Sequence, residues 1–567
     1  MTSPSISRTL SHAGESEEDY NTDMDFIETI NSRDAAAEYA LETMDYGGGV
    51  LSSQIRSRTH SQTDHTVISW ELDDPENPLN WSSLKKCFVV FVGVLLVLNT
   101  AMSSSLPAMA VPSITAEFGI SSTTANALPI SVFLIGYIFG PIIWGPLTEH
   151  FGRRDLSIHT FILFSLFTLA CALSPSWESF LVFRTFCGVC GGAPIAIVAG
   201  ILADIFGDHK TRGRAFAVFM CATMWGPLFA PIVSGYTSTS IGWRWTFWVG
   251  LICAGVTLCI IVWLPETFGP ILLARRAKRM RKETPGIRII APRELEESSV
   301  SKLLTVVITR PIRMLASELI VTATCAYLAL IFAIFYMCFQ AYPVIFRDLY
   351  GLSPGITGLM YLPVGIGSVL SLGVFWFWDG YLARAQHRGA SWSKREEFRR
   401  LPLAVLGGPL YVISLFWLGF SAKASVPFYV PMLAGIPFGM GYILLFMALL
   451  NYLTDSYEIF AASANAAASC CRSILAAVLP LATSHMFRRL GISGAFALIG
   501  GLSAVMCAIP FIFIWKGPSI RARSKFCIAL REQKEEMHRR AEAQRAKMEG
   551  RQRIMVEGKE KMEKHEV

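Results

Sequence analysis

The sequence predicts an all-α membrane protein, and three observations carry that expectation. Mean hydropathy is +0.44 and only 16% of the residues are charged, too apolar for a set of soluble domains in 567 residues. Apolar stretches of about 20 residues, long enough to cross about 30 Å of hydrocarbon as helices, recur from Lys86 to Trp515. The charged residues gather in the gaps between those stretches, so the net charge of +7 belongs to loops and does not point to nucleic acid.

Taken in order, the chain opens with a polar segment, 1–85, rich in Ser, Thr, Asp and Glu and without a basic-then-apolar leader near Met1. A disordered tail without a cleaved signal peptide is expected. Twelve spans follow, at 86–110, 125–147, 156–174, 178–203, 214–236, 243–264, 316–341, 355–378, 401–421, 426–451, 461–486 and 492–515. With both ends of the chain on one side, that side collects Lys85, Lys86, Arg153, Arg154, Lys210, Arg212, Arg214, the run from Arg275 to Arg313 and the run from Arg384 to Arg400. The opposite side holds Arg244, Arg347, Lys423, Arg488 and Arg489, so both termini are expected in the cytoplasm.

The basic segment 265–315, with "ARRAKRMRKETPG", divides the spans six and six. It reads as a cytoplasmic linker between two six-helix bundles, 86–264 and 316–515. Glu149 and Arg154 follow the second span at a spacing of five, and Asp379 and Arg384 follow the eighth at the same spacing, which suggests an internal repeat. The tail 516–567 has i,i+4 opposite-charge pairs and reads as a solvated cytoplasmic helix, with contact to anionic lipid headgroups as the alternative.

Most of the thirteen cysteines fall inside apolar runs, so a disulfide framework is not expected. Cys187 and Cys190 have redox spacing but no metal-ligand companions, and buried packing is the preferred reading. No P-loop and no HExxH occurs, so an enzyme or an ATP-driven pump is not expected, nor is any cofactor or metal. Asn80-Trp81-Ser82 is formally a glycosylation sequon, placed by the topology in the cytosol, where it would go unused.

The short gap "GPLTEHFGRRDL", 145–156, packs two glycines, an acid and two arginines between two apolar runs. Gly145 and Gly152 suit a tight turn, and Glu149, Arg153 and Arg154 suit ion pairing at the membrane surface or simple positive-inside anchoring. The segment resembles the signature turn of the major facilitator superfamily, with Glu149 where aspartate is usual. The resemblance implies a latch that gates the cytoplasmic side and pairs with an acid closing the fourth span, a place that Asp204 fits. Arg184 and Gly188 resemble the family's fourth-span element. "WGPLFAPIVSG" resembles the fifth-span element of the drug:proton antiporters through Gly226, Pro227 and Gly235, with Ser234 departing from it. "DDPENPLNW", "GWRWTFW", "LPET" and "NYLTDSY" are similar to the fungal polyamine and multidrug branch, and the resemblance extends over 73–516.

Charge at mid-membrane is costly, which makes Arg184 and Arg472 candidates for substrate or proton coupling, against pairing or snorkelling. The middle of each span holds no Asp or Glu; the acids near span ends are Glu149, Asp204, Glu318, Asp379 and Asp455. A proton carrier is therefore expected at Glu149 or Asp204, or else the moving charge resides on the substrate. His159 and His485 are minor candidates. Asn99, Gln340, Asn451 and Asn465 are candidate cavity groups or interhelical hydrogen bonders. Tyr327, Phe335, Tyr336, Tyr361, Tyr442 and Phe446 are candidates for an aromatic wall.

The resulting expectation is a secondary transporter with a small-molecule substrate, protons and the lipid bilayer as partners. It would export drugs, toxins or fungal metabolites from the plasma membrane, with the vacuolar membrane as the other address. Polyamine export and transporter-like nutrient sensing are the alternatives.

Overall fold

The computed structural model describes residues 66–539 apart from 72, 123, 284–288, 296–299, 396, 458–459, 529, 533–534 and 536–538. The expectations for 1–65 and for 540–567 lie outside the described residues. Ten helical spans run α1 Ser83–Ser105, α2 Ala125–Phe151, α3 Arg153–Ala172, α4 Trp177–Ile205, α5 Thr211–Ser240, α6 Arg244–Ile261, α7 Leu319–Leu349, α8 Pro354–His387, α9 Glu397–Ser421 and α10 Tyr429–Tyr457.

The last helical stretch, Ala461–Arg521, holds two passes. Gly491 has φ +68° and ψ 176°, which interrupts the helix. The rings of Phe487 and Phe496 lie 6.0 Å apart on either side of it. Nine residues of straight helix would separate them by about 13.5 Å, so the chain folds back here. The passes α11 (461–490) and α12 (492–521) complete twelve spans, as the hydropathy predicts.

α7 and α10 are the most enclosed spans, 72% and 78% buried, whereas α6 is 33% buried. The inner helices are therefore apolar all round, and the outer ones turn apolar faces toward lipid. Trp263 and Trp515, both widely exposed, stand just after α6 and within the last turns of α12, at the same end of the molecule, as aromatic residues do at a membrane interface.

The two halves repeat one packing device. A Cβ on Gly136 of α2 would strike the backbone at Thr185 and Val189 of α4, and one on Gly188 would strike the carbonyl of Phe133. In the second half, a Cβ on Gly367 of α8 would strike Ile436 and Met440 of α10, and one on Gly439 the carbonyl of Val364. The offsets match residue for residue, so α2 crosses α4 as α8 crosses α10, through glycine contacts that let the backbones touch.

The all-α character has one small exception. Residues 66–67 pair in parallel with 289–290, joining the chain before α1 to the linker. The expected disorder of 1–85 does not extend to its described part. Asn77 caps the short turn Pro78–Asn80, and Asp74 and Glu76 pair with Arg276 and Arg279 of the linker helix Gly269–Glu283. Those ion pairs and the buried side chains of Ile289 and Ala277 give the segment a surface to fold on.

Candidate functional site

The basic end of the first half holds a polar cluster built on the turn between α2 and α3. Gly152 has φ +98°, which an L side chain rarely adopts, and a Cβ there would also collide with Glu266. The glycine lets Glu266, just past α6, push its carboxylate onto the start of α3. Its Oε1 accepts the backbone N–H groups of Arg153 at 3.0 Å, Thr267 at 2.9 Å and Phe268 at 2.9 Å, and its Oε2 that of Arg154 at 3.2 Å. A buried carboxylate at a helix N-terminus satisfies orphan donors and the helix dipole together.

The Arg153 side chain, thus placed, donates from Nε to Asp204 Oδ2 at 3.2 Å and from Nη1 to the Thr148 hydroxyl. Thr267 Oγ1 also donates to Asp204, at 3.2 Å. The guanidinium lies against Gly200, where any Cβ would strike it, and 4.9 Å from the centre of the Phe268 ring. Arg154 points elsewhere and donates to the Val262 carbonyl at 3.1 Å.

The polar cluster at the signature turn has partners other than those that the resemblance implies. Asp204 meets Arg153 as the resemblance implies, but the Glu149 side chain is exposed and makes no hydrogen bond among the described residues. Glu266 occupies the acid's role at the helix start. The "LPET" element that contains it carries no local signal of this contact, because the partners are 113 residues away in the chain. Gly145 lies beside open space.

The second half has a counterpart that differs from the expected Asp379 and Arg384. Arg400 near the start of α9 donates to Asp455 near the end of α10 at 3.1 Å, as Arg153 near the start of α3 does to Asp204 near the end of α4. Buried Glu397, at the start of α9, pairs with Arg521 at the end of α12. Asp379 instead crosses to Arg214 of α5 at 2.7 Å, and Arg384 bonds the carbonyl of Gly380.

Arg184 is fully buried without a carboxylate among the described residues. Its Nε donates to the Pro129 carbonyl at 3.0 Å, Nη1 to the Ser103 carbonyl at 2.9 Å and Nη2 to the Ser104 carbonyl at 3.1 Å. Pro107 has no N–H, so the Ser103 carbonyl at the end of α1 lacks its i+4 donor, and the arginine supplies one. A cation at a helix C-terminus is also favoured by the dipole. The arrangement ties α1, α2 and α4 together, with the Phe133 ring 4.6 Å below the guanidinium.

Arg472 of α11 is buried more sparsely. Among the described residues it makes one hydrogen bond, Nη2 to Ser469 Oγ at 3.1 Å, and its buried Nε–H has no partner. The guanidinium lies 5.4 Å from the Phe332 ring centre and 5.6 Å from that of Phe446, within electrostatic range of the Tyr137, Tyr336 and Tyr442 hydroxyls. Tyr137 belongs to the first half and the others to the second, so this cation stands at the seam between them.

The seam has polar links at three levels. Arg214 meets Asp379 at the basic end, Ser104 and Tyr336 share a hydrogen bond of 2.9 Å in the middle, and Gln340 donates to the Asn126 carbonyl at 3.4 Å toward the opposite end. There too the α5 element meets α8, where a Cβ on Gly235 would strike Pro354 and Gly355. Gly226 packs on the backbone of α1 at Leu98 and Met102, and the Pro227 carbonyl accepts from Ser105 at 3.0 Å. Ser234, the departure from the motif, accepts the Met109 N–H at 3.3 Å.

The remaining candidates separate. Asn99 donates to Thr257 of α6 at 2.7 Å, and Asn465 to Thr454 of α10 at 3.0 Å, each within its own half. Asn451 is half-buried with no hydrogen bond among the described residues, and His159 and His485 are exposed. The aromatic candidates are buried; Phe335, Tyr336, Tyr442 and Phe446 form one connected set, with Phe335 and Tyr442 at 5.1 Å and Tyr442 and Phe446 at 5.1 Å. Cys187 and Cys190 are buried and free, and no His, Cys, Asp and Glu group suited to a metal occurs among the described residues.

A twelve-span chain with repeated halves, a signature turn and a polar seam defines a multi-pass membrane protein of the transporter type. Residues 93–480 match the model of the Major Facilitator Superfamily, and the chain belongs to that family. It is similar to the MFS transporter prlG of Fungal sp. (strain NRRL 50135), 36% identical over 460 residues, or 81% of this chain and 96% of that protein. It is also similar to the efflux pump FUBT of Fusarium oxysporum, 37% identical over 462 residues, covering 81% of this chain and 77% of the relative. Its fold is like that of the proton:xylose symporter XylE bound to 6-bromo-6-deoxy-D-glucose, with a TM-score of 0.56, 18% identity, and coverage of 77% of this chain and 96% of that one.

Proposed function

We propose that this chain exports amphipathic organic molecules, such as drugs, toxins or fungal secondary metabolites, by alternating access with proton antiport. The seam carries this reading. Among the contacts that cross it, Arg214 with Asp379 closes one end and Gly235 with Pro354 the other, and in this reading the two ends part in turn. Similarity to proteins named as efflux pumps supports the outward direction.

In this reading the cluster of Arg153, Asp204 and Glu266 latches the cytoplasmic side, and Asp204 takes the proton when Arg153 lets go of it. Arg184 holds α1, α2 and α4 in place, a positioning role. The protein sits in the plasma membrane with its basic end and both termini in the cytoplasm. Polyamine export has less support, since no buried acid among the described residues stands at the middle of the seam to bind a polycation.

The test is efflux from pump-deficient yeast expressing the chain, using hydrophobic drugs, fungal metabolites and spermidine, with and without a protonophore. Protonophore-sensitive loss of an amphipathic class from the cells is the expected result. Equal retention of every compound by expressing and control cells, at verified surface expression, would overturn the reading.

A further inference from the structure

We infer that Arg472 anchors a carboxylate-binding site at the seam, so that the exported molecules are aromatic or amphipathic anions; this rests on the export reading above. The argument begins with the contrast between the two buried arginines. Arg184 spends its donors on carbonyls of α1 and α2, whereas Arg472 is left with Ser469 and a buried, unpartnered Nε–H. A buried cation without an anion is costly, and the guanidinium fork matches the two oxygens of a carboxylate.

The position suits a ligand. Arg472 faces Phe332 and Phe446, with the Tyr137, Tyr336 and Tyr442 hydroxyls within electrostatic range, so rings for an aromatic body surround a charged anchor. Two residues earlier, Cys470 of the same helix reaches the Ile138 carbonyl of α2, which places this stretch of α11 against the other half. When the halves part, this surface is the one uncovered.

The distribution of acids gives an independent reason. The buried acids among the described residues are Asp74 before α1, Glu266 after α6, Glu318 before α7 and Glu397 at the start of α9, and Asp204 closes α4. All stand at the basic end, so a cationic ligand at mid-membrane meets cations and no carboxylate. An anionic substrate meets a ready partner, and it carries the charge that the middle of the spans lacks.

The experiment uses matched trios of acid, amide and amine built on indole, naphthalene and phenylalkyl bodies, such as indole-3-butyric acid, indole-3-butyramide and tryptamine. Pump-deficient yeast expressing the wild type, Arg472→Gln or Arg472→Lys are preloaded at neutral internal pH, and efflux is followed by mass spectrometry alongside the drug panel. The expected result is export of acids over amides and amines by at least about tenfold, with loss of acid export in Arg472→Gln by about thirtyfold or more and partial retention in Arg472→Lys. Wild-type cells that export neutral or cationic compounds but no acid overturn this inference and leave the export reading standing. So does an Arg472→Gln protein that exports acids at the wild-type rate. Where Arg472→Gln fails to reach the surface, the wild-type preference within each trio decides. No export of any compound overturns the export reading and this inference with it.

Discussion

Replacing Glu266 with Gln removes one charge and changes one atom from acceptor to donor, with little change of volume. The amide oxygen can keep the three N–H groups of Arg153, Thr267 and Phe268 that Oε1 now accepts. The new NH2 then faces the Arg154 N–H, which Oε2 accepted at 3.2 Å, donor against donor. Loss of a charge-assisted hydrogen bond costs about 1.5–3 kcal/mol, and loss of the charge at the start of α3 adds about 0.3–1 kcal/mol. The total, about 2–4 kcal/mol, shifts the docked arrangement of α3 and the linker by about 30- to 700-fold. Two readouts check this: unfolding temperature of the purified protein in detergent, and initial efflux rate at matched surface expression. Both should fall, the temperature by several degrees and the rate by more than tenfold. Wild-type values for both would refute the idea that Glu266 holds the latch turn.

Arg184→Gln leaves the Ser103 and Ser104 carbonyls without their donor, and is expected to cost about 3 kcal/mol or more and to lower surface expression, read by fluorescence of a tagged protein. Gly188→Ala and Gly439→Ala each push a Cβ into a backbone carbonyl, and should destabilise by similar amounts, about 1–3 kcal/mol, in thermal unfolding; a large difference between them would contradict the repeated crossing. Glu149→Gln is expected to leave stability within about 0.5 kcal/mol, because the side chain is exposed without a partner among the described residues; a large drop in unfolding temperature would show a contact that this arrangement lacks. Arg244 and then Trp243 hold the Glu117 carboxyl below its usual range, outside the spans. Its stabilising contribution is present above the ordinary glutamate value of about 4.3 and is lost as pH falls through the lower folded value, so unfolding temperature between pH 5 and 3 should fall more steeply in the wild type than in Glu117→Gln.

The spans were legible because hydropathy and length act locally. Even the turn at Gly491, hidden inside one continuous helical stretch, is marked by the charged pair Arg488 and Arg489 that interrupts the apolar pattern. The pairing of Arg153 with Asp204 was legible through the signature turn. Glu266 was not, since its role depends on α6 returning the chain to the start of α3. The repeat was legible in kind but displaced in detail: spacing pointed to Arg384, while the fold uses Arg400, beyond the loop that follows α8. Arg184 stood out from its charge alone, but its partners are backbone carbonyls, and only the tertiary fold brings those freed beside Pro107 to α4.

Proton-coupled export is tested most directly in proteoliposomes that hold the compound that cells export fastest, placed in an acidic bath. Internal pH and released compound are recorded together. The account predicts that proton entry and compound release rise together, and that Asp204→Asn releases compound without proton entry or stops both. Release by the wild type with no proton movement, or unchanged coupled exchange in Asp204→Asn, would contradict it.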